Sequence, residues 1–154
     1  MATLPPDLRE FCERFTSTKV EFLIVGAFAA IQYGVPRYTG DLDLWVRRTP
    51  ENAKNILRSI SEFGFGGLDI CEDDFLSEDL ELQLGRPPAR IDILTFITGV
   101  EFDEVWPSRL EAFLDGIPVN ILSKDDLLKN KRVLGRYKDQ IDVAFIEGLD
   151  QGQG

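Results

Sequence analysis

Hydrophobic and polar residues follow two different spacings along this chain, and the two spacings alternate. Runs in which apolar residues recur at every second position predict strands, and runs in which they recur every three or four positions predict helices. Strands are expected at residues 20–25, 41–46, 80–84, 89–96, 110–114 and 117–122, and the main helices at 5–16, 27–33, 49–62, 123–134 and 136–149. Strands interspersed with helices in this way predict an α/β (α+β) fold.

The predicted C-terminal helix carries apolar residues at Ile141, Ala144, Phe145 and Leu149. Counted from Ile141, the others are three, four and eight residues further on, so all four fall on one side of a helix. A stripe of this kind faces the core in most helices of globular proteins. We therefore expect this side of the last helix to be buried.

A tight turn is predicted at Asp115–Gly116, which lies between two apolar runs. An Asp-Gly pair in this position is a strong signal for a two-residue hairpin. Pro118 follows in the second run. Because proline has no backbone N–H to donate, it predicts that this second strand lies at the edge of the sheet.

Length and charge limit the possible classes of function. The chain has 154 residues and a formal net charge of −10. The length predicts one domain over residues 1–150, followed by a short disordered tail at 151–154. The acidic charge disfavours binding to duplex DNA. The chain contains no histidine, which excludes histidine-based zinc sites and Ser-His-Asp triads.

The cysteines and the longest apolar run indicate where the protein acts. Cys12 and Cys71 are far apart in the sequence and match no metal-binding spacing. The N-terminus lacks the features of a secretory leader, and the longest apolar run, residues 22–31, is shorter than the roughly 20 residues that cross a bilayer. We therefore expect a cytoplasmic protein with reduced thiols and no membrane partner.

One segment, residues 21–46, contains the residue types needed for phosphate chemistry. An apolar strand runs into Gly26, where a short helix starts, and a second strand carries Asp41 and Asp43. The free N–H groups at the start of a helix attract phosphates, and glycine lets a ligand approach the backbone closely. Asp41 and Asp43 share one face of their strand, and two adjacent carboxylates need a cation or a proton. Mg²⁺ favours such oxygens together with substrate phosphates.

Simpler interpretations of this segment exist for each part taken alone. A strand followed by glycine and a helix also occurs as a plain tight turn, and an Asp-x-Asp strand often faces solvent. A dinucleotide-binding oxidoreductase would also place a glycine after a strand, but the Gly-x-Gly-x-x-Gly spacing is absent. The two halves together, with Arg37 and Thr39 between them, favour a functional site.

Residues 37–44, Arg-Tyr-Thr-Gly-Asp-Leu-Asp-Leu, resemble the pattern Arg-x-Thr-x-Asp-h-Asp-h of the nucleotidyltransferase superfamily, where h is apolar. The resemblance is greatest to the bacterial minimal and AbiEii-type members. In that family Gly-Gly or Gly-Ser follows the first strand, whereas here Gly26 is followed by Ala27. This change keeps the backbone N–H but lacks the serine hydroxyl. The resemblance implies a polymerase-beta-like fold, a mixed β-sheet flanked by helices.

The resemblance also implies roles for residues further along the chain. A third catalytic acid, on a strand that forms a hairpin with the Asp-x-Asp strand, corresponds to Asp92. The alternative for Asp92 is an exposed strand aspartate paired with Arg90. The C-terminal family pattern, a lysine followed by Arg-x-Lys-Asp-x-x-Asp, assigns Lys131 to the nucleotide phosphates and places Lys138 and Asp139 near the site.

The function implied by the resemblance is metal-dependent nucleotidyl transfer. The residues expected to hold Mg²⁺, or Mn²⁺ in its place, are Asp41, Asp43 and Asp92, and those expected to bind the nucleotide are Gly26, Ala27, Arg37, Thr39, Lys131, Lys138 and Asp139. A nucleoside triphosphate would donate its nucleoside monophosphate group to a hydroxyl of a small molecule, a protein or a tRNA end, with release of pyrophosphate. The alternative is a catalytically weak or inactive binding module of the same fold, for example a toxin–antitoxin component with a cognate toxin or antitoxin partner.

Overall fold

In the computed structural model, which describes residues 6–65, 68–86 and 89–152, the strands form one six-stranded sheet. The strands are β1 (Phe22–Val25), β2 (Asp41–Val46), β3 (Glu81–Arg86), β4 (Ala89–Leu94), β5 (Leu110–Leu114) and β6 (Ile117–Ile121). They are arranged in the order β3-β4-β2-β1-β6-β5. The β1–β6 and β2–β4 pairs are parallel and the other pairs are antiparallel, so the sheet is mixed, as expected.

Helices connect the strands and cover both faces of the sheet. They are α1 (Pro6–Ser17), α2 (Gly26–Gln32), α3 (Pro50–Ile60), α4 (Phe102–Val105), α5 (Lys124–Leu134) and α6 (Tyr137–Gly152). The last helix runs two residues into the predicted tail, and positions 153–154 lie outside the described residues. Within the described part of the chain, no helix is both long and apolar enough to cross a lipid bilayer.

The two faces of β2 differ in chemistry, and this difference places the site. Leu42 and Leu44 are fully buried on one face. The ring of Phe15 in helix α1 lies 5.5 Å from the ring of Phe22 in β1, which shows that α1 covers that face. Phe22 pairs with Val46 in the same register that pairs Ile24 with Leu44. The alternating aspartates of β2 therefore point to the opposite face.

The hairpin predicted at Asp115–Gly116 is confirmed. Both residues have positive φ, 51° and 81°, and β5 and β6 pair antiparallel across them, which fits the two left-handed positions of a type I′ turn. The prediction of an edge strand from Pro118 was wrong, because β6 lies between β1 and β5. The proline is tolerated because β1 pairs with β6 only further along, at Ile24–Ile121.

The side of α6 that was predicted to be buried is exposed. Every residue of the predicted stripe is exposed: Ile141, Ala144, Phe145 and Leu149. The buried side instead carries Asp139 and Asp142, both at 0% exposure, together with Ile146. The prediction was wrong because it used hydrophobicity alone, whereas this helix turns two charged residues inward to a cavity.

Asn52, in the first turn of α3, ties this helix to the ends of both central strands. Its side chain accepts a hydrogen bond from the Glu21 N–H at 2.7 Å and donates to the carbonyls of Glu21 at 3.1 Å and Arg47 at 2.8 Å. The residue is 3% exposed, so water has little access to replace these bonds. Asn52 thus supports β1 and β2, the strands that lead to the site.

We predict that Asn52→Ala lowers the free energy of unfolding by about 1–3 kcal/mol. The Glu21 N–H loses its hydrogen-bond partner, and the carbonyls of Glu21 and Arg47 each keep only one donor, the N–H of Arg47 and of Thr49 respectively. Urea unfolding measures the change. Lys54→Ala, at an exposed position of the same helix, is the matched control and should change the free energy by less than about 0.5 kcal/mol. Equal losses in the two variants would contradict the assigned role of Asn52.

Candidate active site

A cavity of about 430 Å³ opens over the aspartate face of β2 and β4, with α5 and α6 forming its other wall. All ten residues predicted for the site line it: Gly26, Ala27, Arg37, Thr39, Asp41, Asp43, Asp92, Lys131, Lys138 and Asp139. The cavity is also lined by residues that the sequence did not assign to it, namely Tyr38, Glu81, Arg90, Leu94, Arg136 and Asp142. The structure thus brings the predicted residues together, and their roles remain predictions.

Asp43 and Asp92 lie directly opposite each other on β2 and β4. This pairing is parallel, so the hairpin expected between the two strands was wrong. β4 forms its hairpin with β3 instead. Residues that are directly paired point to the same face of a sheet, and the two carboxyl groups therefore meet above it. Asp92 is only 6% exposed, so it is not an exposed strand aspartate, although it lies beside Arg90, as that alternative expected.

Asp41, Asp43 and Asp92 form an acidic wall of the cavity. Their carboxyl groups lie so close together that ionising all three is unfavourable. Burial, a hydrogen bond with Asp92 and the charges of Asp92, Asp41 and Glu81 raise the pKa of Asp43 to about 7. The Oδ1 atom of Asp92 is buried and accepts no hydrogen bond. A buried oxygen without a donor and a carboxyl that retains its proton both indicate a place where a cation would be stabilised.

Arg90, which lies in β4, contacts the acidic wall. Its Nη2 lies 3.1 Å from Asp41 Oδ2, and its Nε lies 3.6 Å from Asp92 Oδ1. Among the described residues, no three Asp, Glu or Cys side chains are already spaced to hold a metal ion. Since Asp41 is held by Arg90, a metal that uses Asp41 would have to displace this arginine.

Gly26 lies at the junction of β1 and α2, next to the acidic wall. Its φ of 69° is in the left-handed region, and a Cβ atom at this position would lie 2.2 Å from Asp43 Oδ2. Glycine is therefore needed here for backbone conformation and also for space. Val25, the residue before the helix, makes no capping hydrogen bond with its side chain, so the first amides of α2 are not capped by it.

The opposite wall of the cavity contains a buried network of charges. Lys131 is 5% exposed, and its Nζ lies 2.9 Å from Asp142 Oδ2 and 3.5 Å from Asp139 Oδ1. Arg37 pairs with Asp142, and Arg136 Nε lies 2.6 Å from Asp139 Oδ2. Three cations and two anions leave this wall positive. It faces the acidic wall across the cavity.

The charge on Asp139 follows from these contacts. Burial favours the neutral acid, but the hydrogen bond from Arg136 and the charges of Lys131 and Arg136 outweigh it, so the pKa of Asp139 is lowered. The carboxylate therefore stays ionised at neutral pH. It holds the ammonium group of Lys131 in the wall, which agrees with its predicted place near the site without showing a contact to nucleotide.

The remaining predicted residues occupy the margin of the cavity. Thr39 accepts a hydrogen bond from the Asp41 N–H at 3.1 Å, so its hydroxyl shapes the turn into β2. Lys138 lies at an exposed position of α6. Neighbouring Tyr38 is 80% exposed.

Several lining residues were missed by the sequence analysis. Asp142 lies three residues after Asp139, and this helical spacing would have placed the two acids on one side of α6. Arg90 was expected on the same face of β4 as Asp92, but only as a possible partner of that aspartate and not as a residue of the site. Glu81 could not be predicted, because its position near Asp43 depends on how β3 pairs with β4, which no local pattern specifies.

Comparison with known proteins supports the fold. No protein-family model matches the sequence, and no curated protein matches it. A solved structure with a similar fold is that of a "putative nucleotidyltransferase" from Thermotoga maritima, with a TM-score of 0.59 over 97% of this chain and 96% of that one. The two sequences are 18% identical, a level that shows the fold alone. The chain therefore has a nucleotidyltransferase-like fold, with a mixed sheet flanked by helices.

Proposed function

We propose that the protein is a metal-dependent nucleotidyltransferase, which moves a nucleoside monophosphate group from a nucleoside triphosphate to an acceptor hydroxyl. The observation that supports this most is the opposition of two walls in one cavity. Asp41, Asp43 and Asp92 line one wall, and Arg37 and Lys131 line the other. A triphosphate carries several negative charges, which cations must neutralise. This cavity has fixed cations, Arg37 and Lys131, on one side and carboxylates that would hold a metal ion on the other.

The acidic wall fits a divalent cation. Two observations support this fit. The Oδ1 atom of Asp92 is buried and accepts no hydrogen bond, and the pKa of Asp43 is raised. We assign Asp41, Asp43 and Asp92 as the residues that would hold Mg²⁺ or Mn²⁺. When bound, the cation would supply charge neutralisation on the phosphates of the nucleotide.

The basic wall would bind and orient the phosphates. Lys131 has three N–H donors, and Asp139 and Asp142 account for two of them, so one is left for a phosphate oxygen. Arg37 is fixed by Asp142 and presents a planar guanidinium, which suits bidentate contact with phosphate. The amides at Gly26 and Ala27 add backbone donors at the end of β1.

In the proposed reaction the acceptor oxygen attacks the α-phosphorus and pyrophosphate leaves. The proton of the acceptor hydroxyl passes to the carboxylate of Asp92, which lies at the bottom of the cavity beside Asp43. The acceptor would be a small molecule, a protein or a tRNA end.

A second candidate function is a nucleotide-binding module that transfers nothing, such as a toxin–antitoxin component. Two observations favour it. Ala27 supplies no hydroxyl to a phosphate, and Arg90 already pairs with Asp41 and Asp92. Such a module would bind nucleotide without needing the carboxylates, whereas the transferase needs all three.

The first test is nucleotidyl transfer itself. Purified protein, each of the four nucleotides labelled at the α-phosphate, Mg²⁺ and cell extract should yield a covalently labelled acceptor. Asp41→Asn should reduce labelling by at least about 100-fold, because the cation loses a ligand. Asp73→Asn, at an exposed acidic position outside the cavity, should label like the wild type.

Absence of label with all four nucleotides would contradict the transferase. In that case calorimetry of nucleotide binding to the same variants tests the binding module. A binding module should bind the nucleotide with the same affinity in the wild type and in Asp41→Asn.

We predict that Mg²⁺ binding weakens as the pH falls below about 7. The metal needs an ionised Asp43, whose pKa is raised to about 7, so below this value the ion competes with a proton. The affinity should fall by about tenfold for each pH unit below this point and change little above it. Calorimetry with Mg²⁺ alone over the pH range measures this dependence, and an affinity that does not change with pH would exclude the assignment.

We also predict that Asp43→Asn stabilises the metal-free protein at alkaline pH. The pKa of Asp43 rises from 3.8 to about 7 in the folded state. The resulting stabilisation is complete below pH 3.8 and is lost as the pH rises through 7. Asparagine carries no charge, so at a pH of about 8 the variant should melt about 2–4 °C higher than the wild type. A lower melting temperature at that pH would show that the charge of Asp43 is compensated.

A further inference from the structure

Tyr38 is an exposed aromatic residue at the mouth of the cavity. It lines the cavity and is 80% exposed. Among the described residues its ring contacts no other ring and its hydroxyl group has no hydrogen-bond partner. A single exposed aromatic residue is normal on a protein surface, so the role of Tyr38 depends on what holds it in place and on what surrounds it.

The backbone on both sides of Tyr38 is tied to the walls of the cavity. Before it, Arg37 pairs with Asp142 in the basic wall. After it, the Thr39 hydroxyl accepts a hydrogen bond at 3.1 Å from the N–H of Asp41, at the start of β2 in the acidic wall. These two anchors place Tyr38 on the segment that crosses from one wall to the other. Its ring is therefore presented to solvent from a backbone that is held beside the space between the walls.

Tyr38 is also the only aromatic residue among the described residues that line the cavity, where the other apolar side chains are those of Ala27 and Leu94. None of these lining residues is an asparagine or a glutamine, whose amides read an adenine edge through two hydrogen bonds. Arginine reads guanine in the same way, but each lining arginine is already paired with a carboxylate. A nucleobase therefore finds one flat surface here on which it can stack.

Two further charged residues line the cavity, and neither of them selects a base. Lys138 lies at an exposed position, and its ammonium group is a point charge on a flexible stem, which fixes no particular base edge. Glu81 lies near enough to Asp43 for its charge to act on that carboxyl group, so it belongs to the metal side of the cavity. The described lining residues thus provide stacking but no rigid group for base discrimination.

We propose that the base of the bound nucleotide stacks on the ring of Tyr38, and that the protein accepts purine and pyrimidine nucleoside triphosphates alike. This inference rests on the proposed function, because it requires a triphosphate between the two walls. The charged walls and bottom of the cavity suit phosphates and a metal ion, so the base is left at the mouth, where Tyr38 lies. Stacking on an aromatic side chain tolerates any base, because every base has a π-face.

Calorimetry of the full chain with Mg²⁺ and without an acceptor tests this inference. The ligands are the four nucleoside triphosphates and inorganic triphosphate, which has the phosphates but no base. The wild type should bind the four nucleotides with dissociation constants within about fivefold of one another. Tyr38→Ala should weaken the binding of all four by at least about tenfold, because the base loses its stacking surface. The same variant should leave the affinity for inorganic triphosphate unchanged.

Two control variants separate the ring of Tyr38 from its hydroxyl group and from exposed tyrosines in general. Tyr38→Phe keeps the ring and should bind all four nucleotides like the wild type. Tyr137 is also 80% exposed, lies at the start of α6 and is not among the residues that line the cavity. Tyr137→Ala is therefore the matched control and should leave the affinity for every ligand unchanged.

Three outcomes overturn the inference while the nucleotide still binds. Equal weakening of nucleotides and inorganic triphosphate by Tyr38→Ala would show that this residue supports the phosphate site and not the base. Unchanged nucleotide binding in that variant would show that the base lies elsewhere. A wild type that prefers one base by more than about tenfold would show that the base edge is read.

The same measurements separate a failure of this inference from a failure of the proposed function. The three outcomes above leave a nucleotide in the cavity, so they do not contradict the transferase. A wild type that binds neither the nucleotides nor inorganic triphosphate would contradict both. If the stacking pattern is found but no acceptor is ever labelled, the inference holds and Tyr38 contacts the base in a binding module.

Discussion

The site depends on the placement of Asp43 and Asp92 opposite each other on adjacent parallel strands. Asp92 is buried and Asp43 is half-buried, and two carboxyl groups in this position repel unless one of them keeps a proton or a cation lies between them. The surroundings respond to this constraint: the pKa of Asp43 is raised to about 7, and Arg90 lies against Asp41 and Asp92. Gly26 is part of the same arrangement, because a side chain there would occupy the space of the Asp43 carboxylate.

The constraint on the acidic wall also explains the unusual orientation of α6. Lys131 lies buried in the wall opposite the carboxylates, and a buried lysine needs anions as partners. Asp139 and Asp142 provide them and are themselves fully buried. Since these acids occupy the inward side of α6, its large apolar residues are left on the outward side. The exposure of Ile141, Phe145 and Leu149 on α6 is therefore a consequence of how the cavity is built.

Local patterns were sufficient for most of the fold, because strand alternation and the Asp115–Gly116 turn depend on near neighbours in sequence. They also placed Asp41 and Asp43 on one face. The pairing of distant segments was beyond them: neither the parallel register of β4 with β2 nor the approach of Glu81 to Asp43 has a local signal. The prediction of which side of α6 is buried failed for a different reason. Charged residues that are buried in ion pairs are an exception to the rule that apolar residues lie inside.

The two candidate functions make different demands on Arg90. A guanidinium near Asp41 and Asp92 stabilises the metal-free cavity, and it is also a competitor that a divalent cation must displace. In a transferase the displaced arginine would be free to meet a phosphate, so the competition would be resolved by the nucleotide itself, and metal and nucleotide would bind cooperatively. In a binding module Arg90 would stay in place and nucleotide affinity would not depend on the metal. The coupling between the two ligands, more than the affinity for either one, therefore distinguishes a catalytic cavity from a passive one.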